Sequence, residues 1–316
     1  MIERIPLPNR WAGSWRAQAA ALRRQLARWR HRWPRLVRWV ITYVLLIDGA
    51  FIFLYPIIWV ASTSLKTAVD FLDESIRWIP IHFHWQNYVE VLEPMRFWEA
   101  LQNTGTIAAT AVVAQVVSSA LVGYGFARLR FPGKNLLFTL VVLSMVIPPQ
   151  SIVIPRYIIY RVLGWIDTLY PFIVPSFFGF GLYGALFIFL FRQVFSGFPY
   201  ELDDAARIDG AGVFNTFWRI FLPLAKPAVV TVALFSFVWN WNDYYGQSIF
   251  LNQQRTLSTA LASFTGTREM FETGGFAEVY PHIMAATALT MLPCVLLYVF
   301  AQRYFLESIE RAGLKG

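Results

Sequence analysis

Charge is what this sequence has least of. Of its 316 residues, 15% are Asp, Glu, Lys or Arg, against 57% hydrophobic and 17% aromatic. An ordinary soluble domain carries about a quarter charged residues, so a soluble fold is excluded. Cysteine is nearly absent. The single one, Cys294, rules out an intrachain disulfide and a Cys-based metal site and reads as a small apolar packing residue. Histidine is scarce too. His82 and His84 stand at i, i+2 without further evident ligands and read as surface residues, not a metal site. No G-x-x-x-x-G-K-[ST] nucleotide-binding loop occurs; the nearest fragment, Gly133-Lys134-Asn135, lacks the upstream Gly and the hydroxyl. With no nucleophile–base pair either, the chain is expected not to be an enzyme and to carry no metal or cofactor of its own. A secretory leader is not expected, because the charged N-terminal part runs to Arg38 and no small-residue cleavage pattern follows the first apolar block.

What the sequence does have is long apolar blocks, giving a mean hydropathy of +0.47. They cover residues 39–61, 102–127, 135–154, 170–191, 227–248 and 281–302. Blocks of about 20 such residues are long enough to cross a hydrocarbon core. Lipid cannot satisfy open backbone groups, so the spans are expected to be helices; the short alternating segments of a barrel are missing. Several spans contain Pro (Pro56, Pro148, Pro149, Pro171, Pro175, Pro293), which membrane helices tolerate. The fold class expected is therefore an all-α integral membrane protein with about six transmembrane helices.

The 27 Lys and Arg residues set the orientation. With the N-terminus inside, the cytoplasmic side receives the basic residues of 1–38 together with Arg128, Arg130, Lys134, Arg192, Arg207, Arg219, Lys226, Arg303, Arg311 and Lys315. The opposite side receives only Lys66, Arg77, Arg96, Arg156, Arg161, Arg255 and Arg268. That bias places both termini in the cytoplasm. The net charge of +8 is thus a topology signal, and no nucleic-acid partner is expected. Residues 1–38 form an Arg-rich extension, either lying along the cytoplasmic leaflet against anionic lipid or serving only as a topogenic tail. Residues 39–316 form one membrane domain.

Two connections on the outside are long, 62–101 and 249–280. Inside, only 192–226 is sizeable, and it contains ELDDAARIDGAGVFNTFWRIFLPL, residues 201–224. Pro199 suits a helix start, and Glu201, Asp203 and Asp204 lie at its positive end. Leu202, Ala205, Ala206 and Asp209 fall on one small, weakly apolar side, and Gly210 and Gly212 end the helix. A second helical pattern follows, with Phe214, Trp218 and Phe221 together, Val213, Phe217 and Ile220 beside them, and Pro223 as the stop. This pattern fits a helix docked into a groove of another protein, and equally one that lies on its own bundle.

Charged groups within a span are expensive, about 2.5–3.5 kcal/mol on insertion scales, which singles out Asp48 and Asp243. Asp48 is expected to bond within the bundle or to lie near the boundary of its span. Asp243 belongs to an aromatic and amide cluster, Trp239, Asn240, Trp241, Asn242, Asp243 and Tyr244. Such a cluster suits sugar C–H faces and hydroxyls along a translocation path, or an interfacial belt with interhelical hydrogen bonds. Asn103, Gln115, Ser118 and Ser119 on the second span are weaker path candidates.

Asp204-Ala205-Ala206, Gly210, Ile220 and Leu222-Pro223 resemble, at every spacing, the cytoplasmic signature of the binding-protein-dependent permeases of ATP-binding-cassette importers. That signature is Glu-Ala-Ala, three residues, Gly, nine residues, Ile, one residue, Leu-Pro; Asp for the first Glu is the one departure. SLKT at 64–67, Asn87-Tyr88, GYGFARLRFPGKNLLF, MVIPPQSIVIPRYIIYRVLGWIDT, WNDYY and the ending ERAGLKG are similar to the carbohydrate branch, the smaller maltose-type permease subunit. The resemblance covers roughly 40–316.

It implies that a coupling helix between spans 4 and 5 docks on a separate ATPase through Glu201, Asp203, Asp204, Ala205, Ala206, Arg207, Asp209 and Gly210. ATP and Mg are then expected on that ATPase dimer. The further partners are a second permease subunit, an external substrate-binding protein and membrane lipid, and the location is a bacterial or archaeal cytoplasmic membrane. The function implied is sugar import. The alternatives are the same importer type carrying a polyol or glycerol phosphate, and a secondary transporter driven by an ion gradient, which would call for inverted repeats and broken helices.

Overall fold

A computed structural model of the chain describes residues 10–266 and 275–313, with side chains described over 36–265 and 275–302. Every regular element among the described residues is helical. Residues 314–316, which end the ERAGLKG stretch, and 267–274 in the second long connection lie outside the described residues.

In chain order the helices are α1 (Arg10–Thr63), α2 (Ala68–Leu72), α3 (Asn87–Glu90), α4 (Phe97–Arg128), α5 (Lys134–Ser144), α6 (Val153–Val162) and α7 (Tyr170–Phe177). There follow α8 (Gly184–Ser196), α9 (Glu201–Ile208), α10 (Val213–Thr216), α11 (Leu222–Leu224), α12 (Lys226–Trp241), α13 (Tyr244–Phe250), α14 (Leu257–Gly266) and α15 (Gly275–Gly313). The chain divides into two compact units, residues 1–59 and 60–316. The first is most of α1, which passes residue 38 without a break, so no helix boundary separates the Arg-rich segment from the apolar one. Its apolar part is exposed along its length, Leu45, Ile47 and Phe53 included. Asp48 is exposed as well.

Among the described residues, three helical stretches are long and apolar enough to cross a membrane unbroken, Leu36–Thr63, Phe97–Arg128 and Gly275–Gln302. Two more arise only if bent pairs are joined: Lys134–Ser144 with Pro149–Val162, turned by 100°, and Val213–Leu224 with Lys226–Trp241, turned by 80°. The fourth expected span is also divided, into α7 and α8. The breaks fall where the sequence places Pro148-Pro149, Pro223 with Pro227, and Gly179, Gly181 and Gly184. Proline removes a backbone donor and clashes with the preceding turn.

Broken backbone at membrane depth needs partners within the protein, and α4 supplies them to the α7–α8 break. Gln115 Nε2 donates to the Leu182 carbonyl oxygen at 3.0 Å, and Ser118 Oγ donates to that of Ser176 at 2.8 Å. Ser236 Oγ in turn donates to Gln115 Oε1 at 2.6 Å. Gln115, Ser118 and Ser119, the weaker path candidates, are buried, and the first two of them hold the break. Gly181 is required here, because a Cβ at that position would collide with the Gln115 amide. Asn103 likewise ties α4 to the connection over residues 249–280, donating to the Arg255 carbonyl oxygen at 2.9 Å.

The connection over residues 62–101 is held by buried polar groups. Lys66 Nζ donates to the Ile76 and Arg77 carbonyl oxygens at 2.7 and 3.1 Å. The Asn87 amide donates to those of Ser64 and Lys66, both at 2.9 Å. The Asp70 carboxylate accepts the backbone N–H groups of Ile81 and His82 and meets the His82 ring at 3.0 Å. His84 contacts Asn87 Oδ1 at 2.9 Å. Both histidines thus staple the loop.

Candidate functional site

The first candidate region is built from α9 outwards. Tyr200 precedes the first turn, which carries Glu201, Asp203 and Asp204, and the helix ends where Gly210 takes φ +73°. The Ala211 amide closes that end by donating to the Ala206 carbonyl oxygen at 2.8 Å, the left-handed stop that glycine permits most cheaply.

The helix does not present Ala205 and Ala206 together. Neighbours in an α-helix stand about 100° apart, and the edge of the buried face falls between these two. Ala206 is 2% exposed, and Leu202 packs against the aromatic cluster below. Asp203 also turns inward, 15% exposed and 3.3 Å from the Arg128 guanidinium. Glu201, Asp204, Ala205, Arg207, Asp209 and Gly210 remain on the exposed side, where Asp204 and Arg207 lie 3.7 Å apart. Ile208, which the motif does not include, is 87% exposed at the end of the helix. An isolated isoleucine beside acids was visible in the sequence, but its direction was not.

Behind α9 lies an aromatic mount. Phe217 and Phe221 are buried with Tyr124, Phe191 and Phe195, whereas Phe214 and Trp218 stay accessible. The expected grouping of Phe214, Trp218 and Phe221 is therefore not the buried one. A π-helical turn over Phe217–Phe221 changes the phase of the face there, and such turns leave little mark in hydropathy periodicity. Tyr124 on α4 meets Phe195 edge-on at 5.8 Å and lies 5.3 and 5.2 Å from Phe217 and Phe221.

The second candidate region follows α12. A cavity of about 760 Å³ is walled largely by apolar side chains, and its polar groups include Ser144, Arg156, Asn240, Asp243 and Tyr245. Of the path candidates, Asn240 and Asp243 reach this cavity. Asp243 also caps α13, accepting the Gly246 N–H at 2.9 Å.

The others lie elsewhere. Trp239 stacks on Phe187 and Phe235. Trp241 is a core residue, 4% exposed, with its indole N–H donating to the Thr290 carbonyl oxygen at 3.1 Å. Asn242 donates to its own helix at the Val238 carbonyl oxygen, and Tyr244 is exposed outside the cavity lining. Six consecutive residues at a helix end point in all directions, so at most some of them could share one wall. Arg156 was missed as a candidate. Its guanidinium lies 5.5 Å from the ring centres of both Tyr160 and Phe250, a cation–π arrangement that holds it at the cavity.

Asp167 ties the link between α6 and α7 to residues 252–254. It adopts φ +61°, and its Oδ1 accepts the N–H groups of Asn252, Gln253 and Gln254 at 3.0, 2.9 and 3.1 Å. Burial alone would raise its carboxyl, but the three N–H bonds outweigh burial and hold it below the usual carboxylate range. A lowered folded-state value means that this contribution is complete above the free Asp value of about 3.9 and is lost as pH falls through the lower folded value. Amide exchange at 252–254, corrected for its intrinsic pH dependence, should therefore stay protected at about pH 5 and open only as pH falls well below the free Asp value of about 3.9. Asp167→Ala should open it at both.

Residues 115–311 match the family model described as binding-protein-dependent transport system inner membrane component. The arabinooligosaccharides transport system permease protein AraQ of Halalkalibacterium halodurans is 28% identical over 272 residues, covering 84% of this chain and 93% of that protein. The sn-glycerol-3-phosphate transport system permease protein UgpE of Yersinia pestis is 30% identical over 277 residues, 85% and 95% of the two chains. The trehalose transport system permease protein SugB of Mycobacterium tuberculosis is 30% identical over 285 residues, 89% and 98%. Among solved structures, a chain of a bacterial ABC transporter involved in the import of the acidic polysaccharide alginate superposes with a TM-score of 0.73 at 24% identity. That likeness covers 84% of this chain and 95% of that one and shows the fold.

Proposed function

This chain belongs to the binding-protein-dependent transport system inner membrane component family, and from that membership we propose that it is the permease subunit of an ATP-driven importer of sugars. It is a multi-pass protein of a bacterial membrane with both termini in the cytoplasm. It works beside a second permease subunit, receives its cargo from an external binding protein, and is moved by a separate ATPase dimer that holds ATP and Mg.

The observation that carries this reading is α9. It is a short helix with an exposed outer side, ended by a left-handed glycine, on a mount of buried aromatic rings that continues into α4 and α12. A helix so mounted passes force to the membrane helices instead of bending away. The outer residues Glu201, Asp204, Ala205, Arg207, Asp209 and Gly210, joined by Ile208, form the docking side, while Asp203 and Ala206 hold α9 to its own chain.

Cargo passes the wall formed by Arg156, Asn240, Asp243 and Tyr245. Aromatic faces and amide and carboxylate groups together suit the C–H surfaces and hydroxyls of a sugar. A polyol or glycerol phosphate is the second cargo class; the similarity to the glycerol-phosphate permease and the cation of Arg156 favour it. Purification of the tagged chain in mild detergent tests the assembly. An ATPase, a second permease and, in nucleotide-free preparations, a binding protein are expected companions. A monodisperse chain without an ATPase would refute the reading. Ligand screening of the binding protein, with trehalose, arabinooligosaccharides and glycerol 3-phosphate as probes, separates the cargo classes.

A further inference from the structure

One buried cation joins the cytoplasmic helix to the centre of the membrane domain. Arg128 is the last residue of α4, and its side chain is 1% exposed. Its Nη2 donates to the Phe198 carbonyl oxygen at 2.5 Å, in the link between α8 and α9. Its guanidinium lies 4.8 Å from the ring centre of Tyr200, just before α9, and 4.8 Å from that of Phe221 in the aromatic mount. Nη1 lies 3.3 Å from the Asp203 carboxylate in the first turn of α9. Four parts of the cytoplasmic element therefore converge on one side chain that belongs to a membrane helix.

We propose that the Arg128–Asp203 pair is the latch through which movement of α9 is passed to α4, and that both are positioning residues for transport without contact to cargo or nucleotide. The inference rests on the docking of an ATPase at α9. Separating α9 from α4 would leave a buried guanidinium without its counter-charge, which is strongly disfavoured in a medium of low dielectric. The two elements consequently move together. Arg128 Nε and Nη1 and Asp203 Oδ2 have no hydrogen-bond partner, so this contact is held by charge and not by a directed bond. It can tilt without parting. Further along α4, Gln115 and Ser118 hold the α7–α8 break, whose residues Phe178 to Gly184 line the cavity. A displacement of α9 is thus delivered to a wall of the translocation cavity.

The test uses the assembled complex with its ATPase, in a Cys294→Ala background carrying Ser144→Cys at the cavity. Maleimide labelling of that cysteine is followed with and without ATP and vanadate. In the otherwise unmodified complex the labelling rate should change by at least about fivefold, the low end of ordinary coupling between two sites. Arg128→Gln and Asp203→Asn should keep the ATPase bound and hydrolysing, yet abolish that change. Arg128→Lys, which retains the charge over the rings, should preserve at least part of it. The double variant Arg128→Gln/Asp203→Asn should lose no more than either single one.

A full labelling response in Arg128→Gln would overturn the latch. So would loss of the ATPase from Asp203→Asn, which would make the pair part of docking or folding instead. An unmodified complex that carries no ATPase is a different result: it refutes docking at α9 and the latch with it.

Discussion

Ile208→Asp is expected to detach or uncouple the ATPase while leaving membrane insertion and the fold of the chain unchanged. Ile208 is 87% exposed, so nothing within the chain depends on its side chain. On the exposed side of α9, made otherwise of acids, one alanine, an arginine and the closing Gly210, it is the only large apolar group offered outward. Burying such a side chain contributes about 1.5–3 kcal/mol. Apolar anchors at the centre of small interfaces cost about 2 kcal/mol or more when lost. The replacement also adds a third carboxylate beside Asp204 and Asp209.

Retention of the ATPase on size-exclusion chromatography and uptake should both fall by at least about thirtyfold, the equivalent of 2 kcal/mol. Ile208→Ala should fall between that variant and the natural chain. Ala206→Trp fails for another reason, since Ala206 faces its own mount; it should lower thermal stability, whereas Ile208→Asp should not.

Gly123→Val should prevent α4 from packing on α8. A Cβ at Gly123 would lie 2.7 Å from Phe191 Cβ, 3.0 Å from the Arg192 backbone nitrogen and 3.1 Å from the Ile188 carbonyl oxygen. Two of those neighbours are backbone, so relief requires movement of α8 as a whole. Overpacking of this kind costs about 1–3 kcal/mol for a single added group, and valine adds three carbons. The yield of monodisperse complex and its unfolding temperature should both drop sharply.

Gly125, two residues on, has nothing within 4 Å of the same added atom. Gly125→Ala should be neutral or stabilising by up to about 1 kcal/mol through helix propensity. Equal damage from both substitutions would show that flexibility, and not close approach, is what glycine supplies on this helix.

The contrast between these two glycines shows where the sequence was legible and where it was not. The helical class, the apolar blocks and the spaced motif from Asp204 to Pro223 are local properties of the chain, and they survive in the structure as α9, its glycine stop and its mount. Which residues face inward is not local. Ala205 and Ala206 are chemically identical in the sequence, and only the tertiary surface beneath α9 separates them. Trp241 and Trp239 read as path aromatics by composition, but their neighbours Thr290 and Phe187 come from distant helices.

The broken spans were half visible. Every break coincides with Pro or Gly, yet membrane helices often carry proline without breaking, and what decides is whether a neighbour such as Gln115 can satisfy the freed backbone. Arg128 was counted as a topogenic charge. Its burial became apparent only once Asp203, Tyr200 and Phe221 were brought around it.

Uptake by the reconstituted complex with its binding protein, measured with proton and sodium gradients collapsed and ATP held at the cytoplasmic face, tests most directly whether a docked ATPase drives this chain. Transport that continues, and stops when ATP is withdrawn, is the predicted result. Transport that ceases with the gradients while ATP remains would contradict it.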